Sequence, residues 1–159
     1  MKKIFWIITL VFLLSGCSKE LTKEEIIYND YVDKLKQEEK SEDNLPFDLE
    51  IFVDKIIEKE VMYRVIIDNP KVSLRNIEAL VIHDKYTEDV YPSSGIFESK
   101  LSLIPGVINK TSNYVEGIIL AGYIPYEGDI NNLNATFKVL FKYEDDEEVS
   151  HTIIYSTKK

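Results

Sequence analysis

The sequence predicts a mainly β protein: an antiparallel β-sandwich of about seven strands, preceded by a cleaved leader and one short helix. Three observations carry this. From Leu45 onward, apolar residues recur at every second position in short runs. Those runs are separated by Pro, Gly, Asn and acidic clusters of the kind that turn a chain. The one stretch with three- and four-residue apolar spacing lies upstream of them all.

The chain opens on MKKIFWIITLVFLLSGCSKE. Lys2 and Lys3 precede an apolar run, Ile4 to Leu14, interrupted only by Thr9. About a dozen apolar residues suit the core of a signal peptide, whereas a membrane-spanning helix needs roughly 20. Leu14-Ser15-Gly16-Cys17 follows: a branched aliphatic residue, two small residues and the only cysteine of the chain. This resembles the lipobox of bacterial lipoproteins. The resemblance covers residues 1–18 and implies that the Cys17 thiol carries an S-diacylglyceryl group and that cleavage falls between Gly16 and Cys17. It also implies a chain held at the cell membrane on its extracytoplasmic side.

Loss of residues 1–16 would remove Lys2, Lys3 and Trp6, taking the net charge from −9 to −11 over 143 residues. A single cysteine allows no internal disulfide, so the mature chain has to rely on its core, and its length suffices for one domain. Such an acidic balance argues against nucleic acid, whose phosphates demand clustered Lys and Arg. It argues equally against peripheral docking on anionic lipid, which leaves the acyl chains to hold the protein.

Residues 17–44 read as a lipidated cysteine, a short helix and a charged linker. Thr22-Lys23-Glu24-Glu25 matches a capping box, flanked by Leu21 and Ile26 at hydrophobic-staple positions. Ile27, Tyr28, Tyr31, Val32 and Leu35 share one helix face. The stripe is too short for a coiled coil; it either packs on the domain, the preferred reading, or mediates a weak dimer. Gln37 to Asn44 reads as solvated linker.

Residues 45–159 form the sandwich. FDLEIFV places Phe47, Leu49, Ile51 and Val53 on one face, and VMYRVII ends in the turn Asp68-Asn69-Pro70. Ile77 to His83 is apolar on both faces and is therefore expected to be central. A looser strand lies within Gly95–Leu103, closed by Ile104-Pro105-Gly106. Val115 to Ile124 is a fifth strand, in which Gly117 and Gly122 predict bulges or close backbone approach. Ala135 to Tyr143 alternates most regularly, and the acidic run Glu144–Glu148 turns it into a last strand, Val149 to Ser156.

The run LIPG, then Gly117, then GYIP, following an Asn-containing turn at Asp68-Asn69-Pro70, resembles the immunoglobulin-like domains of Gram-positive surface lipoproteins across residues 45–157. The Cys…Trp…Cys core of antibody domains is missing. A lipocalin-like barrel is the rival, and it would need more strands.

No Gly-x-Ser-x-Gly elbow, phosphate loop or His-x-x-x-His spacing occurs. His83 and His151 are two ligands without a third, so no metal or other cofactor is expected, and the acidic run lacks the Asp-x-Asx-x-Asx-Gly pattern of a calcium loop. Surface aromatics remain. Counting alternate strand connections from Phe47, taken as the membrane-proximal end, gathers Tyr86, Tyr91 and Tyr126 at a distal tip, a candidate site for a protein or peptide partner. The expected role is therefore an interaction module and not an enzyme. The alternatives are a carrier of a small apolar ligand between the sheets and a hydrolase using paired carboxylates.

Overall fold

The computed structural model describes residues 21–39, 41–54, 59–85, 93–109 and 113–159. Among them are helix α1 (Lys23–Gln37) and seven strands: β1 (Asp48–Asp54), β2 (Glu60–Asp68), β3 (Leu74–His83), β4 (Ser93–Leu103), β5 (Gly117–Pro125), β6 (Thr136–Glu144) and β7 (Ser150–Lys158). They build two antiparallel sheets, ordered β1-β2-β5 and β4-β3-β6-β7. The fold is an antiparallel β-sandwich, as the alternation predicted. In constant-type immunoglobulin domains the fourth strand completes the first sheet; here β4 hydrogen-bonds β3 instead.

Period-two alternation puts one face of each strand inside. Phe47, Ile51, Tyr63, Val65 and Ile67 meet Ile77, Val81, Phe137, Val139 and Phe141 across the sandwich. Phe47 and Phe141 stack with centroids 4.5 Å apart, a tilted aromatic pair at the heart of this core. Gly122 serves close approach, not a bulge: the β2–β5 register runs unbroken through Tyr63↔Gly122. The Tyr63 ring lies over that glycine, where an added Cβ would stand 2.5 Å from its hydroxyl.

The later part of β3 is apolar on both faces, and β6 adds Leu140 on its outer side, because the four-stranded sheet is covered there as well. There α1 lays Tyr31, Val32 and Leu35 on Leu80, Ile82 and Leu140. The capping box forms as predicted, with the Glu25 N–H donating to Thr22 Oγ1 at 3.2 Å and the Thr22 N–H to Glu25 Oε2 at 2.7 Å. At the other end Lys138 Nζ donates to the carbonyls of Leu35 and Glu38 at 2.9 and 2.8 Å. A cation thus satisfies carbonyls that the last turn leaves without partners, and ties that turn to the sheet. Tyr31 donates its hydroxyl to Glu78, which also pairs with Lys142 at 3.2 Å. Burial, reinforced by Glu78, pushes the Tyr31 hydroxyl well above the ordinary phenol range.

The segment after α1 differs from the solvated linker expected of its composition. The Glu42 N–H donates to the Ile154 carbonyl at 2.9 Å, and the Ser156 N–H donates to Ser41 Oγ at 2.9 Å. An edge strand exposes unpaired backbone groups, and a polar segment can satisfy them as well as water does. Helix α1 and Ser41–Glu42 therefore belong to the folded body instead of forming a free tether.

Candidate functional site

Gly16 and Cys17, the cleavage and lipidation residues, lie outside the described residues, as do Tyr86 and Tyr91 of the expected tip. The rest of the reasoning about that tip can be placed. Strand connections do alternate between the two ends. At one end the Tyr126 N–H donates to the Lys59 carbonyl at 2.8 Å, joining the first and fifth connections. At the other, Arg75, at the start of β3 just after the second connection, donates to Asp146 of the sixth at 2.9 Å and to the Tyr114 hydroxyl of the fourth at 3.5 Å. Tyr126 itself packs partly buried against the core, and its hydroxyl donates to the Asp129 carbonyl at 3.1 Å. It staples its own loop.

The two histidines lie at opposite ends of the sandwich and do not meet. His83 is buried against Tyr63 and Phe137, with centroids 5.5 and 6.2 Å away. Its Nδ1 accepts from the Lys85 N–H at 3.2 Å, and the Tyr123 carbonyl lies near the ring. Burial lowers its proton affinity, opposed by the Tyr123 carbonyl and by Asp84. The same burial pushes the Tyr63 hydroxyl up to about 12. His151 stacks on Tyr143 at 5.0 Å and bonds Asp145 Oδ2 at 2.7 Å.

The acidic run is a built turn. Glu148 N–H donates to the Asp145 carbonyl, Asp145 N–H donates to the Val149 carbonyl, and Glu148 has φ +61°. This is a type I turn closed by a left-handed residue, a common three-residue hairpin. Asp145 Oδ1 accepts from the Glu147 and Val149 N–H groups, each at 2.9 Å. His151 and these amides hold the Asp145 carboxyl below the usual range, and hydrogen bonds from Ser73 and Arg75 do the same for Asp146. Among the described residues no group of three or more His, Cys, Asp and Glu side chains gathers where it could hold a metal ion.

The alternating pattern left one surface unremarked: the outer face of β1-β2-β5. Its cross-strand rows are Glu50–Ile66–Ile119, Phe52–Arg64–Ala121 and Asp54–Met62–Tyr123. Phe52, Ile119 and Tyr123 are 40, 59 and 56% exposed. Arg64 bonds Asp54 at 2.6 Å in the middle of this face and lies over the Phe52 ring. The opposite sheet has α1 over its outer face; here no described element plays that part. The signal was in the sequence as apolar residues at the polar positions of the alternation, Phe52, Ile66 and Ile119.

The amino terminus matches a known family. Residues 1–18 fit the prokaryotic membrane lipoprotein lipid attachment site. The chain carries a lipoprotein attachment site. This supports a lipid-anchored membrane lipoprotein, with Cys17 as the residue that bears the lipid. No curated protein matches the chain.

Proposed function

We propose that this lipoprotein sits on the extracytoplasmic side of the cell membrane and that its domain, immunoglobulin-like in kind, is an interaction module and not an enzyme. The observation that carries the reading is the outer face of β1-β2-β5. There Phe52, Ile119 and Tyr123 surround a single ion pair, a mixture of apolar body and polar centre that suits a protein partner. The side chains of the two sheets pack against one another, with Phe47 and Phe141 in contact between them, which weighs against an apolar cargo between the sheets. A groove of about 390 Å³ lies instead at one end of the domain, between Asp68–Pro70 and Ile104–Ile108. The carboxylates at Asp145 and Asp146 are engaged in holding a turn, which weighs against a hydrolase built on them.

The docked helix also bears on orientation. Its last turn lies over the Ile82–His83 end of the sheet, while Tyr31 and Tyr28 reach down to Glu78 and Phe97. Its first turn therefore points toward the end that holds Asp145 and Asp146. Cys17 is five residues before Thr22, a reach of at most about 18 Å for extended chain. On this reading the end with the second, fourth and sixth connections faces the bilayer because of where α1 begins, not because Phe47 follows a tether.

Two experiments test the proposal. Cys17→Ser should abolish labelling by a fatty-acid probe and release the chain from the membrane fraction; retention of both would refute the anchor. A photo-crosslinking amino acid at Phe52 in living cells should give a discrete adduct that is lost on adding Ile119→Glu. The same group at Val149, at the end proposed to face the bilayer, should give no such protein adduct. Equal yields at both positions would remove the case for the outer face.

A further inference from the structure

A sandwich of two open sheets has four edges, and three of these are blunted. β7 is bonded by Ser41 and Glu42. β4 is bonded near its end by the strand-like segment before β5, where the Ser102 N–H donates to Asn113 and the Val115 N–H to Ser102, both at 3.0 Å. β1 carries Asp48, Glu50 and Asp54 among its seven residues. Charge, cover and short length are the usual means of keeping an edge from pairing with another chain.

β5 has none of them among the described residues. GIILAGYIP is nine residues long and contains no charged side chain. It is the last strand of its sheet. The ladder fixes which of its groups are free. Tyr126 N–H donates to Lys59, one step beyond the pair Glu60↔Pro125. Even-numbered residues therefore turn their backbone groups to β2, and Gly117, Ile119, Ala121, Tyr123 and Pro125 turn theirs outward. Pro125, which has no N–H to offer, stands at one of the outward positions, where proline is tolerated. The Tyr123 carbonyl lies near His83, so the open run centres on Ile119 and Ala121. Those same residues place the exposed Ile119 and Tyr123 side chains along the rim.

We infer that the free edge of β5 is a strand-addition site that takes an extended, uncharged apolar segment with basic flanks from another protein. Main-chain bonds to the outward groups would supply affinity, and the Ile119 and Tyr123 side chains would read alternate positions of the added strand. Glu116 precedes β5 in the sequence, while beyond it Glu127 is already paired with Lys59 at 2.8 Å and Asp129 is engaged by Asn131; Glu116 and the acidic balance of the chain as a whole select basic flanks. A second copy of this chain fits less well. Two β5 strands related by a two-fold axis run antiparallel, which points the two α1 amino termini in opposite directions. Two anchors of at most about 18 Å reach in one bilayer oppose that arrangement.

The inference rests on the interaction-module reading, and the two can fail separately. The probe is a fluorescein-labelled peptide of alternating valine and threonine between lysine pairs. It is titrated with the full-length lipoprotein in phosphatidylcholine nanodiscs, against empty nanodiscs, and read by anisotropy. Saturable binding that weakens with salt is expected. Ala121→Pro removes an outward N–H without touching the β2 ladder and should weaken binding roughly tenfold or more. Ile119→Lys, at an exposed position, should do the same, and decides the matter if the proline variant does not fold. Phe52→Glu should leave peptide binding unchanged while removing any partner of the outer face. Equal affinity of the Ile119→Lys and parent chains, or no saturable binding by the parent, overturns the inference. Concentration-dependent dimerisation abolished by Ala121→Pro would overturn it in favour of a second copy as the occupant.

Discussion

Replacing Leu35 by alanine tests whether residues 22–44 are part of the domain or a tether. Leu35 is fully buried, between α1 and the outer side of the four-stranded sheet, with Leu80, Ile82 and Leu140 around it. Truncation removes its apolar contacts and leaves a void beside Lys138, whose ammonium is held by the Leu35 and Glu38 carbonyls and cannot follow the missing side chain. Buried Leu→Ala changes cost about 2–5 kcal/mol. The lower half of that range applies, because a helix on the outside of a sheet can settle inward more easily than a core strand. About 2–3 kcal/mol in urea unfolding is expected, with a fall in Tm of roughly 6–12 °C for a chain of this size. The exposed Ile26→Ala control should stay within about 0.5 kcal/mol of the parent. Amide exchange adds a local readout: the variant should lose protection over Tyr31–Gln37 before it loses protection in β3 and β6. A Leu35→Ala protein as stable as the Ile26→Ala control would mean that α1 is not docked in solution. The short anchor and the orientation built on it would then fall together.

Three further outcomes are expected. Gly122→Ala puts a methyl group into the Tyr63 ring, which is buried and has nowhere to go; a loss of about 1–3 kcal/mol by denaturant titration follows, and unchanged stability would show that Tyr63 does not lie over β5. Glu148→Gly relieves a left-handed backbone at φ +61°, so stability should rise by about 1 kcal/mol, whereas a loss would mean that the turn does not have this geometry. The buried His83 binds its proton less readily folded than unfolded, so its contribution is complete above the unfolded value of about 6.5 and is lost as pH falls from there through the lower folded value; His83→Phe should flatten the stability profile in that window, and a profile of the same slope would refute the assignment.

Local rules carried much of this molecule. The lipobox is a contiguous chemical motif, readable from Leu14 to Cys17 alone. The capping box at Thr22 and Glu25 is satisfied within one helical turn, so three-residue spacing was enough to place the start of α1. Strand boundaries followed from period-two alternation, because each strand has one face in a common core. Even the alternation of loop ends followed, since antiparallel neighbours reverse direction whatever sheet they join.

What the sequence could not reach depended on contacts between residues far apart in the chain. Leu80, Ile82 and Leu140 are apolar on the wrong face of their strands for a bare sandwich, but nothing local says that α1 is what covers them. Whether β4 pairs with β3 or β5 is a competition between two ladders of similar propensity, decided by long-range packing. Gln37 to Asn44 has the composition of a solvated linker, and Ser41 and Glu42 dock only because β7 ends its sheet with backbone groups to satisfy. Charge and period determined that this chain is an acidic β domain, and the lipobox that it carries a lipid attachment site. The order of its strands then determined which of them stand at the edges of the two sheets, because hydrogen bonding across a sheet is set by neighbours in space and not by neighbours in sequence.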